Sequence, residues 1–223
     1  MTTLLLIRHG VTSATGKRLG GRTEAPLDER GVAQARAAAE RLASLPIRAV
    51  YASPLRRTWE TAEHIAAARR LDPRRADGLI EVEYGRWTDR PLTQVAKTKL
   101  WEAVQNRPSL VTFPEGETIR GAQERAVATV EDLVAAHRRD VVAAVSHADV
   151  IKGVIAFYLG QPLDLFQRLV IAPGSVSALQ LAPGGRPALL RLNDDGPLDP
   201  AAFRAPPSRR PRAGSRSRRP SEG

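Results

Sequence analysis

Leu4-Leu5-Leu6-Ile7-Arg8-His9-Gly10 is the stretch that decides how this chain is read. Four apolar residues in a row, cut off by a cation, an imidazole and a glycine, spell a short strand buried on both faces. Such strands belong to parallel sheets, and open α/β sheets bind ligands in the loops at the carboxyl ends of their strands. Arginine beside histidine at such an end suits a phosphate group with a nitrogen nucleophile next to it. The tripeptide alone is common, so the rest of the chain has to supply its partners.

Two further runs have the same form. Ile47–Ala52 is followed by Ser53-Pro54-Leu55-Arg56-Arg57, and Val141–Ser146 by His147-Ala148-Asp149. Each run ends in a polar turn and opens a helical pattern. The strand expectations are 3–8, 47–52 and 141–146. Helices are expected at 29–44, 55–70, 92–105, 119–138 and 148–159. Ile119, Ala122, Ala126, Val130 and Leu133 fall on one face at the helical period, and Asp28 suits the N-cap of the first helix. Runs 175–181 and 187–192, separated by Pro183-Gly184-Gly185, read as a hairpin. Strands alternating with helices predict an α/β fold: a three-layer sandwich with a mostly parallel central sheet flanked by helices, closed by a late antiparallel hairpin.

Composition bounds the function. The 223 residues are 42% hydrophobic and 26% charged, enough for one domain with a sizeable core. There is no cysteine, which excludes disulfides, thiolate metal sites and a cysteine nucleophile. The first residues lack a basic region and a long apolar run, and no stretch approaches a membrane span. The expectation is a soluble cytoplasmic protein. After residue 198, seven arginines against Asp199 and Glu222 carry +5, half of the total net charge of +10. With its Pro, Ser and Gly content this stretch cannot bury enough surface to fold. We therefore divide the chain into a catalytic domain, 1–198, and a disordered Arg/Pro/Ser-rich tail, 199–223.

If the three strands are neighbours, His9 and His147 converge with Arg8 and Arg57 on one pocket, and the adjacent helix N-termini add backbone N–H groups. His64 and His137 lie on predicted helices and receive no role. Arg56 reads as solvated, and Tyr84 and Trp87 as packing residues. Lys97, Lys99, Arg86 and Arg90 are candidates for an anionic substrate tail, read more simply as solvated charges.

These segments resemble the histidine phosphatase superfamily, which includes the cofactor-dependent phosphoglycerate mutases. The match is carried by Arg8-His9-Gly10, Ser53-Pro54-Leu55 with Arg57, Thr58, Thr61 and Ala62, Ile80-Glu81-Val82-Glu83-Tyr84-Gly85 with Trp87, and Ser146-His147, in the family's order and approximate spacing. Gly21-Arg22, Ala25-Pro26-Leu27-Asp28, Gly31-Val32-Ala33-Gln34-Ala35 and Phe113–Thr118 extend it over roughly residues 3–193. Segment 113–118 looks like the family's phosphate-proximal loop. Residues 146–152, 165–177 and 190–194 resemble an actinobacterial phosphomutase/phosphatase branch of poorly defined substrate.

The resemblance implies that His9 forms a phosphohistidine, that Arg8, Arg57 and His147 clamp the phosphoryl oxygens, and that Glu81 is the acid/base. Glu83, two residues on, competes with Glu81. Thr15, Arg22, Arg57, Arg8, His147 and Ala148 are the implied substrate contacts. Thr15 stands where many members have asparagine, Val11 replaces a frequent polar residue, Ala148 stands for a glycine, and Asp89 falls where a glycine often follows the tryptophan. Two forked guanidinium groups can do what magnesium does elsewhere, so no metal and no cofactor is expected. The expected function is a metal-independent phosphomonoesterase acting on a small phosphorylated metabolite. A phosphoglycerate mutase-like phosphomutase is the alternative; it needs a lid and a resident phosphorylated cofactor, for which the chain between Arg57 and His147 has little room. A binding function of another class, polyanion or nucleic-acid capture by the basic tail, rests on its arginines. It is disfavoured by the lack of interleaved aromatic residues.

Overall fold

The computed structural model describes residues 1–196, so the tail at 199–223 and the division at residue 198 lie outside the described residues. Strands β1 (Thr2–Arg8), β2 (Ile47–Ala52), β3 (Pro73–Arg75), β4 (Val141–Ser146), β5 (Val176–Leu181) and β6 (Ala188–Asp194) form one sheet in the order β3-β2-β4-β1-β5-β6. β1 to β4 are parallel, whereas β5 pairs antiparallel with both β1 and β6. The mostly parallel sheet and the late hairpin are as the pattern predicts.

The uninterrupted apolar run of β1 follows from its central position. Leu4 and Leu6 face one layer, packing with Ala126, Val130 and Leu133 of helix α5 (Ile119–Ala136) and Ile151 and Ile155 of α6 (Ala148–Tyr158). Leu5 and Ile7 face the other, against Ala39 and Leu42 of α1 (Glu29–Leu42) and Ala62 and Ile65 of α2 (Arg56–Ala67). Alternate side chains of a strand point to opposite faces. A strand covered on both faces must therefore be apolar at every position.

Two expectations need correction. The helix expected at 92–105 is two helices, α3 (Leu92–Val95) and α4 (Lys99–Asn106), because Thr98 caps α4 by accepting a hydrogen bond from the Trp101 N–H. β3 escaped notice because a three-residue edge strand that begins with proline and carries two arginines has no hydrophobic alternation to read. Asp28 caps α1 through the Gly31 N–H, as expected.

Register aims the three strand ends at one place. Arg8 lies opposite Ser146, and Ala52 opposite Val145. The His9 N–H then donates to the Ser146 carbonyl at 3.0 Å, and the Ser53 N–H to the Val145 carbonyl at 3.0 Å. The chain steps from β1 toward β2 on one side and from α6 toward β5 on the other. The β1/β4 boundary is thus the switch point where such sheets form their crevice.

Gly10 lets α1 come close to this edge. A Cβ on Gly10 would lie 2.3 Å from the Gly31 carbonyl oxygen, a backbone atom that cannot swing aside. Gly10→Ala is therefore expected to destabilise the fold by about 3 kcal/mol, the range of forced overpacking, read as a lowered urea midpoint at unchanged slope.

Candidate active site

His9, at the end of β1, is only 6% exposed. Its Nδ1 lies 2.6 Å from the Gly10 carbonyl oxygen, which can only accept, so Nδ1 carries the proton and Nε2 keeps its lone pair. Burial, together with the Arg57 and Arg8 guanidinium charges, holds the ring well below the usual imidazole range. His9 is thus a neutral imidazole whose unprotonated Nε2 accepts from Arg57.

His147, the residue before α6, is fully buried. Its Nδ1 accepts from Arg57 Nη2 at 3.2 Å, and its Nε2 donates to Ser53 Oγ at 2.8 Å. The two rings meet edge to face, centroids 5.2 Å apart. Burial first, then Arg57, keeps His147 neutral as well.

Arg57 is the hub. Its Nε donates to His9 Nε2 at 3.2 Å, its Nη1 to the Thr23 carbonyl at 2.8 Å, and its Nη2 to the Gly21 carbonyl at 2.6 Å. The planar fork is locked by two carbonyls while two of its N–H groups rest on imidazole lone pairs. The threonines of the same helix hold it in place: Thr61 Oγ1 donates to the Arg57 carbonyl and accepts from the Gly10 N–H, and Thr58 Oγ1 donates to the Ser53 carbonyl. Arg56 points outward and pairs with Glu60. Arg8 donates from Nη1 to the Ile171 carbonyl at 2.6 Å, and its buried Nε has no partner among the described residues, although the side chain lines the cavity.

Glu81 sits on the same cavity with its side chain 12% exposed, Oε2 3.8 Å from His147 Nδ1. Burial, then the nearby Asp149 carboxylate, pushes its pKa up to about 7 against the opposing pull of Arg57 and Arg8. Glu83 is turned away and paired with Arg22 at 3.1 Å. The segment is not an extended strand, so the two carboxylates do not share a face.

Arg8, His9, Thr15, Arg57, Glu81 and Ala148 all border one cavity of about 320 Å³, while His147, fully buried, lies behind its wall against Arg57. Thr15 is there with its hydroxyl already engaged, accepting from the Thr12 N–H at 2.9 Å. Arg22 is not on the cavity wall. It donates to the Glu81 carbonyl at 3.0 Å and pairs with Glu83 and Glu117, so it buttresses the Glu81 loop from behind. Segment 113–118 likewise contributes nothing to the wall. Its Glu117 accepts from Arg125, from Arg22 and from the Glu83 N–H.

The comparisons with known proteins agree with this geometry. A family profile described as Histidine phosphatase superfamily (branch 1) matches residues 4–195. The chain belongs to the histidine phosphatase superfamily. Among similar histidine phosphatases is one named Phosphoserine phosphatase 1 from Hydrogenobacter thermophilus, 28% identical over 200 residues, spanning 86% of this chain and 92% of that protein. Another, named Probable phosphoglycerate mutase GpmB, from Proteus mirabilis, is 30% identical over 185 residues, 79% of this chain and 84% of its own length. The solved structure of Bacillus stearothermophilus YhfR superposes with a TM-score of 0.82 at 27% identity, covering 87% of this chain and 98% of that one.

Two elements of this histidine phosphatase site escaped the sequence reading. Arg125, on α5, donates to the Gly78 and Glu81 carbonyls and to Glu117, fixing the acidic loop. Nothing local marks it, since a lone arginine on an amphipathic helix normally reads as solvated. Tyr84 was read as packing, and its ring does pack edge to face on Phe113. Its hydroxyl, however, reaches the cavity and donates to Asp149 at 3.1 Å.

Proposed function

We propose that this histidine phosphatase is a phosphomonoesterase acting on a small phosphorylated metabolite through a phosphohistidine on His9. The observation that carries the reading is a neutral His9, its unprotonated Nε2 against the Arg57 guanidinium, on the same cavity as Arg8 and Glu81. In the first step His9 Nε2 attacks phosphorus and the P–O ester bond breaks. The proton held by Glu81 passes to the departing alkoxide, which leaves as the alcohol. Arg8 and Arg57 hold the equatorial oxygens, with the Ala148 N–H at the start of α6 alongside; His147 joins them once Arg57 leaves its Nδ1 and the ring proton moves there from Nε2. Arg57 can do so without moving far, by trading its imidazole acceptors for phosphate oxygens. In the second step Glu81 takes a proton from water as the oxygen attacks phosphorus, the P–N bond breaks, and phosphate leaves.

The charge of the phosphoryl group is met by guanidinium groups, so the proposal requires neither metal nor cofactor. It includes a cytoplasmic setting, where small phosphate esters are plentiful. Arg22 is not among its substrate contacts. Release of inorganic phosphate from a panel of sugar phosphates, phosphoglycerates and nucleotides in the presence of a chelator is the expected result. Conversion of 3-phosphoglycerate into 2-phosphoglycerate with 2,3-bisphosphoglycerate present, exceeding phosphate release, would replace hydrolysis by mutase chemistry. Deleting residues 204–223 is expected to leave turnover unchanged; loss of turnover would place the tail in the site.

The state of Glu81 sets the pH profile. Its carboxyl must be protonated when the alcohol leaves, and its pKa is raised to about 7. The rate constant kcat/KM for an alkyl phosphate is therefore expected to fall as pH rises through about 7. His9, held neutral, imposes no matching loss until the pH is well below the usual imidazole range. Glu81→Gln should erase the alkaline limb and lower kcat by about 10²–10⁴-fold for an alkyl ester. The loss should be smaller in the phosphorylation step with p-nitrophenyl phosphate, whose leaving group needs no proton. An unchanged alkaline limb in the variant would assign it to another group.

A further inference from the structure

The cavity wall beside the phosphate cradle also carries charge, and the charges there are paired with one another. Lys152, on α6, has its side chain only 13% exposed and donates to Asp149 Oδ1 at 3.2 Å and to Gln167 Oε1 at 2.9 Å. Asp149 accepts in addition from the Tyr84 hydroxyl at 3.1 Å. Arg18, on the other side of the opening, pairs with Asp89 at 2.7 Å. Asp89 occupies the left-handed region at φ +60°, where the chain turns back to present its carboxylate.

The remaining cations of the cavity, Arg8 and Arg57, are two charges for one phosphoryl dianion. Among the described residues, the other cations on the wall, Lys152 and Arg18, are each already paired with a carboxylate. A substrate carboxylate or second phosphate arriving at Lys152 would have to break the Lys152–Asp149 pair, and would then face the freed Asp149 carboxylate across a partly buried gap. A hydroxyl meets no such penalty. It donates to a carboxylate and accepts from an ammonium or a phenol at the same time, and this wall offers all three within one chain of hydrogen bonds.

We infer that Tyr84, Asp149 and Lys152, the last braced by Gln167, form a leaving-group site for an uncharged polyhydroxylated alcohol, so that the substrate is a polyol or sugar monophosphate rather than a phosphorylated acid. The inference rests on the phosphatase reading above and narrows it. Selectivity arises as much from the unmatched carboxylate that an anionic substrate would expose as from the hydroxyl contacts.

The test compares glycerol 3-phosphate with 3-phosphoglycerate, which differ in a CH₂OH against a carboxylate, with p-nitrophenyl phosphate as the probe of the chemistry itself. Glycerol 3-phosphate is expected to have the higher kcat/KM by about tenfold or more. Asp149→Asn leaves Lys152 without its counter-charge, and the ratio should swing toward 3-phosphoglycerate by about tenfold. Lys152→Met leaves Asp149 facing the substrate, and the ratio should move the opposite way. Opposite shifts from neighbouring residues are not produced by general loosening of the fold. If p-nitrophenyl phosphate is hydrolysed but glycerol 3-phosphate is not preferred, or if neither variant moves the ratio, the alcohol-site inference falls and the phosphatase reading stands. If none of the three esters is hydrolysed, the phosphatase reading falls and takes the inference with it.

Discussion

Alanine in place of His9 is expected to lower phosphate release from any monoester by on the order of 10⁴–10⁶-fold, the scale seen when a nucleophile is removed from a covalent catalyst. The argument is geometric. His9 has its proton fixed on Nδ1 by the Gly10 carbonyl, so Nε2 is an available lone pair at neutral pH. His9 is the one imidazole lining the cavity among the described residues; its Nε2 is held only by Arg57, which phosphate can draw off, whereas His147 is fully buried with both ring nitrogens engaged. No second nucleophile stands ready among the described residues. The fold should tolerate the change, because the His9 backbone, not its ring, carries the sheet contact to Ser146. The variant should therefore still bind inorganic phosphate through Arg8 and Arg57 while forming no acid-labile phosphoprotein on rapid quenching. Undiminished labelling of the alanine variant would remove His9 from the role.

Arg57→Met is the second large effect, an expected loss of about 10³–10⁵ in kcat/KM, the range for removal of a guanidinium that stabilises phosphoryl transfer. Arg57 is 4% exposed and spends its N–H groups on His9, His147 and the Gly21 and Thr23 carbonyls. Methionine fills comparable volume but strands two carbonyls, so a loss of stability of about 1–3 kcal/mol should accompany the kinetic defect. Arg57→Lys separates the two. A lysine restores the charge but, lacking the planar fork, cannot serve acceptors on both imidazoles and both carbonyls. It should stay well below one-tenth of wild-type kcat/KM. Wild-type turnover with lysine would mean that charge alone, not the fork, is required.

How much of this was legible beforehand differs from residue to residue. His9, Arg57 and His147 could be read because each sits just past a short apolar run, and the end of a buried parallel strand is a fixed address in an α/β fold. Thr58 and Thr61 appeared only as motif letters; in the structure they are the hydrogen bonds that hold Arg57 and Gly10 in place. Glu81 could be favoured over Glu83 by register alone. What separates them physically is burial, which raises the one, and the Arg22 pair, which holds the other away. Arg22, a substrate contact by resemblance, pairs in the structure with Glu83 and Glu117, which sequence could not show because a loop arginine looks the same whether it faces a ligand or a neighbouring loop. Asp149 pairs with Lys152 on the cavity wall, and nothing in the letters beside His147 marks it for that.

By itself, the sequence determined the α/β layering, the three strand ends that carry chemistry and the boundaries of the long helices, because those depend on local periodicity and on which residues must avoid water. Only the tertiary structure decided which protons and charges are available at the site. The Arg57 charge that keeps His9 neutral and the Ile171 carbonyl that anchors Arg8 are brought in across 48 and 163 residues of chain, and even the local contacts, Gly10 to His9 and Asp149 to Lys152, matter only because the fold buries them; a shielded charge is set by the neighbours that replace water.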